Sequence, residues 1–156
     1  MTEEQYRQLP YRQAVDVVII NENTEVLLLQ KQAYSETDWA LAGGGIDEAD
    51  KSELDAVARE LAEETGIKSF TLVGKSSHLN QYDFPFNPQF VKQDTKFRGQ
   101  QKAVYVVSVA SNIEVVLQLE EIRTYRWVKP LEALEMMHFP NQKEVFTKIF
   151  TEFNLI

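Results

Sequence analysis

The chain has 156 residues, 44% hydrophobic and 26% charged, an ordinary globular balance that suits one domain with a sizeable core. It has no cysteine and two histidines, His78 and His138, which excludes disulfides, thiolate zinc sites and a cysteine nucleophile and leaves little for a histidine-rich metal centre. The net charge of −8 argues against broad electrostatic binding to nucleic acid, though not against an anionic substrate held by a metal and a few local cations.

The opening MTEEQYRQLP is polar and acidic, unlike a signal or transit peptide. No apolar run approaches the roughly 18–20 residues of a membrane span. A reducing, cytoplasmic setting is the expectation. No internal repeat and no linker rich in Gly, Ser or Pro interrupts the chain, so residues 1–156 are read as one domain.

Ala14–Ile20 (AVDVVII) is β-branched and reads as a buried strand. Asn21-Glu22-Asn23-Thr24 is turn chemistry, and Val26–Leu29 completes a hairpin. Gln32–Asp38 reads as a polar loop. Trp39-Ala40-Leu41 is short and apolar, and Gly43-Gly44-Gly45 is expected to break regular structure. Ser52 followed by Asp55 resembles a capping box and opens a helix that Gly66 stops. That helix carries Leu54, Val57, Ala58 and Leu61 as its expected core stripe. Phe70–Phe84 is strand-like with irregularities, and Phe84–Gly99 reads as a long loop. Ala103–Ala110 is the strongest strand, and Arg123–Val128 is another. Pro130 suits the first turn of a helix running to about Met137. Asn141 is the expected cap of a last helix that buries Val145, Phe146, Ile149 and Phe150. Mixed strands interleaved with helices imply an α/β sandwich. His78 and His138, outside any acid–base constellation, read as structural.

On a wheel of about 100° per residue, Glu60, Glu63 and Glu64 cluster roughly 120° from the expected apolar stripe. Three like charges at these spacings repel, and the Glu60–Glu64 pair alone costs about a few tenths of a kcal/mol. Such a triplet is commonly only a solvated acidic face. A divalent cation would reverse the sign of that repulsion. Mg²⁺ takes oxygen ligands, typically one or two carboxylates with phosphates and waters, and could polarise phosphoryl oxygens and activate water.

The setting decides between these readings. Arg59-Glu60-Leu61-Ala62-Glu63-Glu64-Thr65-Gly66-Ile67 matches REUxEExGU, the second half of the Nudix box, at every specified position, and Gly43-Gly44 precede it. The chain therefore resembles the Nudix hydrolases. The resemblance implies an α/β/α sandwich with a mixed sheet, Mg²⁺ or Mn²⁺, and hydrolysis of a diphosphate linkage in a nucleotide. It implies Glu60, Glu63 and Glu64 as metal ligands, with Gly43 at the metal and Gly44 at the substrate. One of the glutamates, or a carboxylate outside the box, would orient or deprotonate the water. Arg59 is implied as a structural partner of a carboxylate. The first half of the box is irregular: strict counting places Lys51 where a glutamate is expected. Aligning on Gly44 instead pairs Asp50 with that glutamate and inserts one residue at the helix start. The partner of Arg59 is then Asp50, Glu53 or Asp55.

Tyr82-Asp-Phe-Pro85, Asp94-Thr-Lys96, Phe97-Arg-Gly-Gln-Gln101 and Tyr125-Arg-Trp-Val128 resemble the diadenosine polyphosphate hydrolases and RNA 5′-pyrophosphohydrolases. That likeness implies Glu121 as a fourth metal ligand or general base, against the plain reading of an exposed loop carboxylate. It places Arg98 and Gln100 near phosphates and lets Tyr82 stack on a base, with Phe84 as loop packing. Lys31 is either a phosphate contact or a solvated strand end. The expected substrate is a dinucleoside polyphosphate such as diadenosine tetraphosphate. The alternatives are an RNA 5′ end, where Lys92, Lys96, Arg98 and Lys102 could offset the net charge, and nucleoside triphosphates or ADP-sugars. A nucleotide sensor without catalysis is the reading from outside enzymology. Oligomeric state leaves no trace in the sequence.

Overall fold

The computed structural model describes residues 1–137, 139 and 142–156. The expectations for His138 and for a cap at Asn141 fall outside them.

The β-branched run expected as a strand forms β1 (Tyr11–Ile20), buried from Ala14 to Ile19 and hence central. Asn21 closes the hairpin to β2 (Val26–Lys31): its side-chain oxygen accepts the amides of Asn23 and Glu25, both at 3.0 Å. β3 (Ala42–Gly45) pairs antiparallel with β1, and this corrects the expectation that the glycines break structure. Their neighbour β1 supplies the ladder that their own propensity does not. β4 (Thr71–Asp83) carries two register shifts against β5 (Gly99–Ser108), the irregularity its sequence implied, and residues 84–98 form the long loop between them. β5 runs parallel to β1, and β6 (Ile122–Val128) lies antiparallel on β2. The sheet is mixed, in the order β4-β5-β1-β2-β6, with β3 on β1.

A four-residue helix, α1 (Glu3–Tyr6), carries a Thr2–Gln5 capping box that the sequence reading passed over. Its Tyr6 is buried and its hydroxyl donates to the carbonyls of Phe84 and Arg98 at 3.3 and 3.0 Å. The box helix is α2 (Glu53–Thr65), with the Ser52 hydroxyl accepting the Asp55 amide and Gly66 at φ 70°, both ends as expected. α3 (Pro130–Met136) and α4 (Gln142–Glu152) follow, the latter burying Phe146, Ile149 and Phe150.

Alternation along the strands sends Val15, Val17, Ile19, Leu27 and Leu29 to α2, and Val18, Leu28, Val104 and Val106 to α3 and α4. The architecture is thus the expected α/β/α sandwich. One detail differs. α2 buries Ala56, Val57, Leu61, Glu64 and Thr65, whereas Leu54 is 40% exposed and Ala58 faces out. The helix docks on a strand of glycines, and carboxylates occupy the space that apolar side chains were expected to fill. Among the described residues no helix is long and apolar enough to cross a membrane.

Candidate active site

The site forms where α2 meets β3. Gly43 donates its amide to Glu64 Oε1 at 2.8 Å. A Cβ at Gly43 would overlap the Val15 carbonyl oxygen, and its φ of +147° disfavours any other residue. A Cβ at Gly44 would lie 2.5 Å from Glu60 Oε1. A Cβ at Gly45 would run into the Arg12 guanidinium on the opposite face of the strand. The glycines therefore let a carboxylate and a guanidinium press against one backbone from its two sides.

Arg59 ties the first half of the box to the second. Its Nε donates to Asp50 Oδ1 at 3.1 Å and its Nη2 to Asp50 Oδ2 at 2.8 Å. Nη2 also donates to the Gly45 carbonyl at 2.9 Å, and Nη1 to Glu60 Oε1 at 3.0 Å. A planar fork suits this arrangement better than an ammonium would. The Arg59 fork, with the Asp47 amide, holds the Asp50 carboxyl below its usual range. Of the three candidate partners, then, Asp50 is the one. Asp55 instead accepts the Lys51 amide at 3.0 Å. Glu53 accepts from Lys75 Nζ at 2.6 Å and from the Tyr105 hydroxyl at 2.7 Å. Burial and that bond to Glu53 push Tyr105 up to about 12.

The three box glutamates differ in exposure. The Glu64 side chain is 5% exposed, Glu60 12% and Glu63 52%. Burial pushes the Glu64 carboxyl up, against Lys31 and the Gly43 amide, and the Glu60 charge adds to the rise. Burial likewise pushes Glu60 up, against Arg59. Lys31 Nζ stands 3.5 Å from Glu64 Oε2 with its side chain 23% exposed, so this strand end is paired with a carboxylate. Among the described residues no three acidic side chains close into a ready-made cage. The donor set still fits a hard divalent cation: two desolvated carboxylates lie side by side, and both are made more basic by burial. Asp47, Asp50, Glu60, Glu63 and Glu64 set five carboxyl groups against the two cations Arg59 and Lys31.

Glu121 is exposed in the turn before β6. Its carbonyl accepts the Gln32 amide at 2.7 Å, which sets its backbone one residue beyond Lys31. Among the described residues its carboxylate makes no hydrogen bond or ion pair.

The expected substrate residues separate. Tyr82 and Gln100 face each other across β4 and β5, and Gln100 is in register with Arg12 of β1. This row shares the α4 face of the sheet with Val104 and Val106. Phe84 packs edge-on to Tyr82 at 6.1 Å, loop packing as expected. Arg98 does not present a free fork. Its Nη2 and Nε donate to Asp83 at 2.9 and 3.3 Å, its Nη1 to the Arg7 carbonyl, and it lies over the Tyr11 ring at 4.9 Å. These ties brace α1 against β4. Sequence reasoning missed Arg12, which is exposed and, among the described residues, has no hydrogen bond or ion pair. A lone arginine near the start of a strand carries no motif; its place beside Gly45 is visible only in the fold.

The NUDIX domain family model matches residues 10–149. The chain is 33% identical to an RNA pyrophosphohydrolase of Bartonella quintana over 94% of its length and 92% of that protein's. Among solved structures it is similar to a MutT protein from Methanosarcina mazei, with a TM-score of 0.65 and 28% identity over 94% of this chain and 97% of that one. It also shares the fold of a C. elegans Ap4A hydrolase, with a TM-score of 0.67 and 18% identity over 92% of this chain and 99% of that one. An intact second half of the box, a first half completed by Asp50, and a family match over most of the chain agree: the protein belongs to the Nudix family and is a pyrophosphohydrolase.

Proposed function

We propose that the chain hydrolyses the 5′-terminal phosphoanhydride of RNA with Mg²⁺ or Mn²⁺, releasing pyrophosphate and leaving a 5′-monophosphate. The carboxylates of half-buried Glu60 and buried Glu64, braced by Arg59 and the Gly43 amide, carry the chemistry. The similarity to an RNA pyrophosphohydrolase along nearly the whole chain favours RNA over the dinucleoside polyphosphate expected first.

Glu60 and Glu64 would hold the cation, with Glu63 and Glu121 as further oxygen donors. The cation supplies Lewis-acid polarisation of phosphoryl oxygens and offsets the charge that builds on them. Arg59 fixes the Glu60 carboxylate, and the Gly43 amide and Lys31 fix that of Glu64. A carboxylate of this set, Glu64 or Glu121, accepts a proton as water attacks phosphorus. The anhydride P–O bond breaks and its electron pair leaves with pyrophosphate. Arg12 is placed to bind a phosphate, and Tyr82 with Gln100 to hold a base on the α4 face.

A small dinucleoside polyphosphate is the second reading, and the surface charge favours it. Of the four cations expected to attract RNA, Arg98 is neutralised by Asp83 and Lys102 by Asp16. The test is a comparison of kcat/KM for 5′-triphosphorylated RNA, diadenosine tetraphosphate, nucleoside triphosphates and ADP-ribose with Mg²⁺. RNA is expected to lead. Preference for diadenosine tetraphosphate would install the second reading. No product from any of them at high enzyme concentration would leave a nucleotide sensor.

A further inference from the structure

A buried polar chain crosses the α4 face of the sheet, outside the carboxylate site. Asp16 and Asn80 are 4% and 1% exposed, among apolar neighbours such as Val18 and Val104. Asn80 Nδ2 donates to Asp16 Oδ2 at 2.8 Å, and Lys102 Nζ stands 3.3 Å from Asp16 Oδ1. Asn80 and Gln142, the first residue of α4, exchange amide hydrogen bonds of 3.0 and 3.3 Å. Every member is satisfied, so the chain is rigid. A buried ion pair stabilises a fold poorly compared with apolar packing, which leaves its placement to be explained.

The far end of the chain explains it. The Lys102 ammonium lies 5.6 Å from the centroid of the Tyr82 ring, while the Asp16 carboxylate holds it at 3.3 Å. The Lys102 side chain is 17% exposed and cannot swing freely into solvent. We infer that Lys102, anchored by Asp16, Asn80 and Gln142, is a positioning residue that fixes the Tyr82 ring as a stacking platform for the substrate's base. This rests on the reading of Tyr82 as a base contact, and on neither RNA nor dinucleotide in particular. A cation against one part of an aromatic ring restrains its tilt, and an immobilised ring loses less freedom when a base stacks on it. Asp16 is also in register with Gly43, so the platform and the amide that holds Glu64 are referenced to adjacent strand positions.

A double-mutant cycle tests this, with 5′-triphosphorylated dinucleotide and diadenosine tetraphosphate as separate substrates. Tyr82→Ala is expected to raise KM by about fivefold or more, the loss of one stacked base. Lys102→Met is expected to raise KM by about threefold to fivefold, the size of a cation–π contact, with a smaller change in kcat. In the Tyr82→Ala background, Lys102→Met should add nothing. Lys102→Met strands the Asp16 carboxylate, so Lys102→Met/Asp16→Asn is measured beside it, with thermal unfolding recorded for each. Additive effects on KM, or an effect on kcat alone, would overturn the inference while leaving the platform standing. An unchanged KM in Tyr82→Ala would remove the platform and the inference together.

Discussion

Arg59 grips Asp50 with a two-pronged fork, Nε to Oδ1 and Nη2 to Oδ2, and this pair joins the irregular first half of the box to the intact second half. Through the same guanidinium Asp50 reaches Glu60. Asp50→Asn should therefore lower kcat about 10–100-fold, as loss of an outer-shell partner does. Glu53→Gln, whose side chain hydrogen-bonds Lys75 and Tyr105 among the described residues, should leave kcat unchanged. Steady-state kinetics on both variants checks this, and the reverse order of effects would transfer the role to Glu53.

Gly43 and Gly44 should fail differently. At Gly43 an alanine meets backbone, the Val15 carbonyl, at a φ of +147°. Gly43→Ala should cost roughly 1–3 kcal/mol of stability or more. At Gly44 the obstacle is the end of the Glu60 side chain, which can move aside. Gly44→Ala should fold with little loss and lose at least about tenfold in turnover, because Glu60 leaves its place. Thermal unfolding and turnover measured on both separate the two effects.

Burial raises the carboxyls of Glu60 and Glu64 above their ordinary value of 4.5. In metal-free protein the folded state then holds these protons more tightly than the unfolded chain. The stability they contribute is fully present below about 4.5 and is lost as pH rises through their folded values. Asp50 and Glu53 act oppositely: their depressed carboxyls withdraw stability only as pH falls below the ordinary carboxylate range. In EDTA the unfolding temperature should fall as pH rises above about 4.5 through the folded values of Glu60 and Glu64, and fall again on acidification below the ordinary carboxylate range. Mg²⁺ should flatten the upper limb by stabilising the charged forms. A melting temperature that does not fall as pH rises above about 4.5 without metal would contradict the assignment of these two side chains as carboxylates raised by burial.

Arg12 is a cation without a partner among the described residues, set beside Gly45. Arg12→Ala should raise KM about tenfold or more, the loss of a charge-assisted contact to phosphate, with a smaller change in kcat. Arg98→Ala should instead show in stability, because its guanidinium holds Asp83 and the Arg7 carbonyl. An increase in KM confined to Arg98→Ala would return the phosphate contact to that residue.

Much of the box helix α2 was legible in the sequence, because its signals are local. Ser52 caps it, Gly66 ends it, and Glu60, Glu63 and Glu64 sit at spacings any helix enforces. Its rotation was not legible: Leu54 looks like core, but docking on glycines turns it outward. The glycine strand was hidden because its partner, β1, lies far from it in the chain, so no local signal announces the pairing. The choice of Asp50 over Glu53 needed the path of residues 46–52, which one inserted residue had blurred. Arg98 shows the converse: it fits a motif, yet Asp83 and Tyr11 claim it across strands.

On the proposed function, the paired carboxylates of Glu60 and Glu64 drive hydrolysis of a phosphoanhydride. The most direct measurement is turnover of 5′-triphosphorylated RNA with Mg²⁺ by wild type and by Glu64→Gln, with folding of both confirmed by thermal unfolding. Glutamine keeps an oxygen for the Gly43 amide and removes the charge. Wild type should give pyrophosphate and 5′-monophosphorylated RNA, and the folded variant should turn over more slowly by orders of magnitude. Glu64→Gln turning over at the wild-type rate would contradict it.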